Sequence, residues 1–545
     1  MKFKYTSAIL LLFALLISCS EEMDKSPELS KEEDQFPDLS MRIPYFMERL
    51  HSNRWQVRYY LLLGYDARHH YALTGRDAET KRVFEMLIRD ENKEVASQAL
   101  RRYISSFVDI DKTLFKPELY FYGIVGYDFL GPGPVNEEDY DAFVDSKIRS
   151  LKAAKLDDYS VYRTLTIVGI MGKPDDAAAV YRFLQSPYDD IAYTAAIAVI
   201  RLGDRTKGLE TLRRLASWDS SKEPPYMLQA LYALEELQDR ELEAIVLDGV
   251  ASIDSSEGIP PNIHNSFLLL AANVTNKDVW NVDGPRNRVE AVGRFPDLPK
   301  KIPYFMERLY SNRWKVRYGL LHDLTRRDIE TKRILETLMR DEKKNVANQA
   351  TVRYLHNFVD IDKSLFKPEL YFISRPGDEF PEPDLLNEER HDALVEYCLR
   401  RLDTAQLDDP SMYRNLTVVG ILGKPGDAEA LYPFLESTNS YVAIGATKAV
   451  VRLGERKKGM EAFRRRVWDL SKNPFYSSEA LYALKEMQDP DLEGIVNKIL
   501  GSIDQIEGLG PEWLNSFLLF AADVTDKDVW NVEEPQNKPD AGGDK

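Results

Sequence analysis

Along most of the chain apolar residues recur at spacings of three and four, the period of helices, and the alternation expected of strands is nearly absent. After Asp189, the residues Ile191, Ala192, Ala195, Ala198, Val199 and Leu202 fall on one face, and Gly203 supplies a stop. Asp189 or Asp190 can cap the start of that helix. Just upstream, PDDAAAVYRFLQS (Pro174 to Ser186) has proline in a first turn and Val180, Phe183 and Leu184 on one side. The two segments predict a helical hairpin. Comparable pairs precede it: IPYFMERL with RWQVRYYLLLGY, ETKRVFEMLIRD with NKEVASQALRRYISSFV, and NEEDYDAFVDSKIRSL with DDYSVYRTLTIVGIMG. Two more follow it, TKGLETLRRLAS with PPYMLQALYALEEL and DRELEAIVLDGVASI with PPNIHNSFLLLAANV. Their spacing of roughly 30 to 45 residues is that of helical repeat arrays, so the expected fold class is all-α.

The whole set of hairpins then occurs again. FPDLSMRIPYFMERLHSNRWQVRY from Phe36 returns as FPDLPKKIPYFMERLYSNRWKVRY from Phe295, and FVDIDKTLFKPELYF (Phe107 to Phe121) as FVDIDKSLFKPELYF (Phe358 to Phe372). LTIVGIMGKPDDA from Leu165 returns as LTVVGILGKPGDA from Leu416, and NKDVWNV from Asn276 as DKDVWNV from Asp526. The expected organisation is one copy over residues 37–285, a linker over 286–295, and a second copy over 296–535. The first copy carries extra residues in LGYDARHHYALTGRDA, between its first two hairpins. Residues 536–545, rich in Gly and Asp, read as a disordered tail.

The block DDIAYTAAIAVIRLGD, with its alanine face, resembles a HEAT-type (armadillo-like) repeat; VANQA (Val346 to Ala350) echoes it. The resemblance is good for residues 174–237 and 425–487 and looser elsewhere. It implies an α-solenoid in which each hairpin buries its apolar stripe against its neighbours, right-handed and curved.

The N-terminus reads as a targeting segment. Lys2 and Lys4 precede the apolar run Ala8 to Ile17, too short for a permanent span, and the run ends in Leu16-Ile17-Ser18-Cys19. This pattern resembles the bacterial lipobox, which implies a signal peptide over 1–19 and lipidation, with palmitate-type chains, at Cys19. More than one acyl chain gives stable anchoring. Residues 20–36 are polar and acidic, a flexible tether. Ser20 after the cysteine resembles outer-membrane lipoproteins, on the periplasmic face or the cell surface. No other segment is apolar and long enough to cross a bilayer.

Composition narrows the function classes. The 545 residues carry a formal net charge of −17, which argues against a nucleic-acid partner, because phosphate binding needs clustered Lys and Arg. The chain has two cysteines; with Cys19 acylated, Cys398 stands alone, without an adjacent base, as exposed helix surface or core filler. None of the seven histidines occurs in both copies when they are placed in register: His51 faces Tyr310, His264 faces Leu514, His356 faces Ser105 and His391 faces Tyr140. His69 and His70 lie in the extra segment, without a metal-binding pattern around them. No nucleophile elbow, P-loop or dinucleotide fingerprint is present. These features predict no catalytic residue, no metal and no cofactor.

Asp109 and Asp111, like Asp360 and Asp362, form a D-x-D pattern, expected to cap turns because the segment becomes apolar at once. Tyr120 and Tyr371 in KPELYF read either as braces between hairpins or as contacts for a partner. Trp55/Trp314, Trp218/Trp468 and Trp280/Trp530 recur and are expected to pack between hairpins, the last pair capping the ends of the arrays. The reading favoured by these features is a membrane-anchored scaffold that binds a protein or peptide. A periplasmic spacer, twelve or so hairpins in series spanning on the order of 100 Å, is one alternative. An enzyme on a HEAT-like fold, such as a lyase, is the other.

Overall fold

The computed structural model describes residues 36–63, 73, 75–122, 140–158, 160–217, 224–253, 259–282, 298–324, 327–372, 386, 390–468, 474–503, 506, 509–525 and 527–532. Cys19, the tether but for Phe36, His69, His70, the linker, Trp218 and the tail lie outside the described residues. Within them the protein is all-helical, with no strand. No helix among them is long and apolar enough to cross a membrane.

Every expected hairpin is present. In the first half the pairs are Phe46–Leu50 with Trp55–Leu61, Ala78–Leu87 with Lys93–Ser106, and Tyr140–Ala153 with Val161–Met171. Pro174–Gln185 with Asp189–Arg201, Arg205–Ala216 with Pro224–Glu236, and Leu242–Ser252 with Pro261–Thr275 complete it. Local sequence sets the ends. Asp77 and Asp328 accept the amide of the residue three along, Thr80 and Thr331, and Asn92 and Asn439 cap in the same way. Gly203 and Gly454 adopt positive φ, and the next amides reach back to Val199 and Val450. The segment from Pro174 departs from expectation, being wound largely as 3-10 helix; its counterpart Pro425–Glu436 contains Pro433, which cannot donate to an α-helical ladder. Helices Val161–Met171 and Asp189–Arg201 approach so closely that a Cβ on Gly169 would lie 2.7 Å from that of Ala198.

FVDIDK is a clamp within each half. The Glu236 carboxylate accepts the backbone N–H groups of Val108 (2.7 Å) and Asp109 (2.9 Å). The Arg201 guanidinium donates to the carbonyls of Ile104, Phe107 and Val108, the open end of helix Lys93–Ser106. Glu486 and Arg452 do the same for residues 355–360. Asp111 and Asp362 cap the turns at Thr113 and Ser364, and Tyr103 and Tyr354 accept the amides of those aspartates while donating to Glu85 and Glu336. The second, fourth and fifth hairpins of each half are thereby drawn together.

The hairpins do not run in open series. Helix Trp314–Asp323, which starts the second half, packs against Pro261–Thr275 at the end of the first; helix Trp55–Leu61 packs against Pro511–Ala522 at the end of the second. Val316 lies in the core of the first half, and Val57 in the core built by residues 463–530. The two junctions are the same in detail. Ser311 donates to the Trp280 carbonyl and Ser52 to that of Trp530. Tyr304 and Tyr45 each set their ring 5.4 Å from that tryptophan and donate to Asn273 and Asp523. Asn312 and Asn53 exchange hydrogen bonds with Asn281–Val282 and Asn531–Val532. The short helices Pro37–Arg42 and Leu298–Lys301 touch one another as well. The chain therefore closes on itself, unlike the extended row of the spacer alternative.

Trp280 (1% exposed) and Trp530 (4%) are buried as expected, but they join the halves instead of capping free ends. Trp468, expected to pack between hairpins, is 43% exposed at the end of its helix, with the Lys498 ammonium 4.9 Å over its ring. Trp55 and Trp314 are half-buried. Cys398 is core filler: it is fully buried, and burial pushes its thiol up to about 12.

Replacing either junction tryptophan empties a packed site and exposes the faces it joins. Trp280→Ala and Trp530→Ala are each expected to lower the free energy of unfolding by about 3 to 5 kcal/mol. Denaturant titration reads this directly, and a loss below about 1 kcal/mol in both would contradict the closed arrangement.

Candidate functional site: a converging face in each half

The second helices of the four hairpins from the second to the fifth present one side to a common space, and in the second half that space is filled by charge. Glu479, on helix Pro474–Glu486, is buried at its centre. Its Oε1 pairs with the Arg327 guanidinium, and its Oε2 lies 3.1 Å from Lys448 Nζ. Lys448 also donates to the His356 carbonyl, and His356 Nε2 stands 3.7 Å from Glu479. Aromatic rings enclose the group. Arg327 lies 4.7 Å over Tyr482, Phe475 stacks on His356, and Tyr413 and Tyr441 stack at 4.0 Å.

The electrostatics follow from this geometry. Burial alone would raise Glu479, but Arg327 and Lys448 outweigh it and hold the carboxyl well below the usual range. Burial lowers Lys448 to about 8, against the pull of Glu479. Burial also lowers His356 to about 4, with Lys448, Arg327 and Arg353 adding to the effect over Glu479. Every charged tip in the cluster is engaged by a neighbour, and Lys448 is only 2% exposed. Such a group is a strut across the face.

The same face of the first half has a different content. In register, Glu479 is replaced by Gln229, Lys448 by Ile197, His356 by Ser105 and Tyr441 by Asp190. Arg76, the counterpart of Arg327, is retained and lies 5.1 Å over Tyr232. It makes no ion pair among the described residues, and its buried Nη1 has no hydrogen-bond partner there. The face is also open: Tyr162 is 37% exposed against 8% for Tyr413, Ser105 is exposed, and Gln229 is half-buried where Glu479 is closed off.

Of the residues singled out in the sequence, Tyr120 (7% exposed) and Tyr371 (4%) lie in the interior, each against the Phe on either side of it, Phe115/Phe121 and Phe366/Phe372. That is the position of a brace, not of a contact face. Asp109 points to solvent, with Lys81 3.7 Å away. No group of three metal-ligating side chains is present among the described residues. Sequence reasoning placed His356 opposite Ser105 but missed Arg327, Lys448 and Glu479. The signal available was the pair of matched changes, Ile197/Lys448 and Gln229/Glu479, in which a cation and an anion appear together. No protein-family model matches this chain, and no curated protein is significantly similar to it.

Two outcomes test the cluster. Glu479→Gln strands two buried cations and is expected to cost about 3 to 5 kcal/mol, whereas the double change Glu479→Gln with Lys448→Ile recovers most of that loss. Strict additivity of the two changes would show that Lys448 and Glu479 are not coupled. The second outcome concerns pH. His356 titrates near 4 when folded and near 6.5 when unfolded, so the unfolded chain takes up the proton first and stability falls as pH drops from 6.5 to 4. His356→Ser is expected to flatten that part of the profile by at most about 3 kcal/mol. An unchanged slope in equilibrium unfolding between those pH values would contradict a neutral buried imidazole.

Proposed function

We propose that this protein is a lipid-anchored, non-catalytic binding module of the bacterial envelope, built from two HEAT-like α-solenoid copies and held through Cys19 at the outer membrane. The observation that carries the reading is the open converging face of the first half, where Tyr162 stands 37% exposed beside positions that the second half fills. An exposed aromatic next to half-buried polar groups is the composition of a recognition surface. A protein or peptide is the expected partner. The acidic balance of the chain, −17 overall, keeps nucleic acid out of consideration. The lipobox-like Leu16–Cys19 and the polar tether after it support the anchoring. A long spacer is not favoured, because the first and last hairpins meet at the Ser52–Trp530 junction. A lyase-like enzyme finds no support in the filled cluster, whose ionic tips are all paired.

The test has two arms. A palmitate analogue is expected to label the wild-type chain in its native cells and not Cys19→Ala. A photo-crosslinker at Tyr162 in the anchored protein should capture a discrete partner, while one at Tyr188, exposed at the start of helix Asp189–Arg201, should not. Identical captures from both positions would sink the binding reading.

A further inference from the structure

We propose that the open face of the first half is a receptor for a carboxylate carried by the partner peptide, with Arg76 taking that carboxylate where Glu479 serves Arg327 in the second half. The inference rests on reading the open face as a binding face, and it names the chemistry bound there.

Three observations converge on it. First, the second half displays the occupied state: an arginine from the segment just before helix Ile329–Leu338, laid over a tyrosine and paired with a carboxylate. The first half keeps the arginine and the tyrosine at nearly the same separation, 5.1 Å against 4.7 Å, so the donor is held in place without its acceptor. Second, Arg76 Nη1 is buried and has no hydrogen-bond partner among the described residues. A buried guanidinium N–H left unsatisfied costs free energy that a carboxylate restores, and a bidentate pair adds direction. None of the acids on or beside the face takes that place: Asp190 accepts the Ile191 amide and makes no ion pair with Arg76 among the described residues. The Glu236 carboxylate is held by the backbone N–H groups of Val108 and Asp109, and Glu235, raised by burial, forms no ion pair with Arg76. Third, the face is less filled than its counterpart. Ser105 and Ile197 stand where His356 and Lys448 fill the second half, and both are smaller side chains. Tyr162 and Ser105 are open to solvent there.

Gln229 is the residue that keeps the receptor empty. A glutamate at 229 would place a carboxylate in the position of Glu479 and satisfy Arg76 from within.

The experiment uses the full chain with sodium glutarate as the probe and its uncharged diamide as the control, read by calorimetry and thermal unfolding. Glutarate is expected to bind in the millimolar range and to raise the unfolding temperature, while the diamide does neither. Arg76→Met and Gln229→Glu should each weaken glutarate binding at least tenfold, and Gln229→Glu should also be more stable than the wild type without ligand. If Arg76→Met does not fold, Gln229→Glu still decides the matter. Equal protection by glutarate, its diamide and chloride would overturn the proposal, as would wild-type glutarate binding in Gln229→Glu. A partner still captured through Tyr162 in Gln229→Glu would remove the carboxylate while leaving the binding face standing.

Discussion

A row of helical hairpins has two ends, and each end exposes an apolar face that water must cover unless something else does. Here each end covers the other. Helix Trp55–Leu61 enters the core of residues 463–530 through Val57, and helix Trp314–Asp323 enters the core of the first half through Val316. Each half lends one valine of its first pair, Val57 or Val316, to the core of its counterpart, while the rest of that pair packs within its own half. The junction repeats in its smallest parts, from the serine hydroxyl on the tryptophan carbonyl to the asparagine exchange beside it.

A second constraint shapes the interior. Buried charges are tolerated only where hydrogen bonds satisfy them. Arg201 and Arg452 are inside the protein because three carbonyls at the end of a helix need donors, and Glu236 and Glu486 because two amides after that helix need an acceptor. These clamps curl each half until the second and fifth hairpins meet. The curl brings Arg327 to Glu479, 152 residues apart in sequence, and makes a face out of helices that a straighter row would separate.

Much of this was legible in the chain. Periodicity located the helices of every hairpin and Gly203 a stop, because helix formation depends on residues within a turn or two of each other. Closure was not legible, since Ser52 and Trp530 carry no mark of mutual contact and a capped end would read the same. The misplacement of Trp468 has a similar origin: recurrence in both halves signals a shared role, not burial. Tyr120 and Tyr371 were left open between brace and contact face, and only packing against the flanking phenylalanines separates those roles. The candidate face was half legible. His356 opposite Ser105 was visible, but the significance of Gln229 opposite Glu479 needed the knowledge that both sit beside an arginine.

The two halves thus share a scaffold and differ where the scaffold does not require agreement. Ile197 for Lys448 and Gln229 for Glu479 remove one cation and one anion together, so that exchange by itself is neutral in charge, while Asp190 for Tyr441 adds a carboxylate. Swapping a buried ion pair for neutral groups is often close to neutral in stability. Fold stability alone therefore gives no reason for one half to be filled and the other open. The junctions and the FVDIDK clamps fix both faces in the same geometry, which frees their contents to diverge. What stability does oppose is a buried guanidinium N–H kept without an acceptor, and Arg76 Nη1 has none among the described residues. Its retention over Tyr232, on a frame closed at both junctions, is more readily understood as preparation for an incoming acceptor than as a remnant of packing.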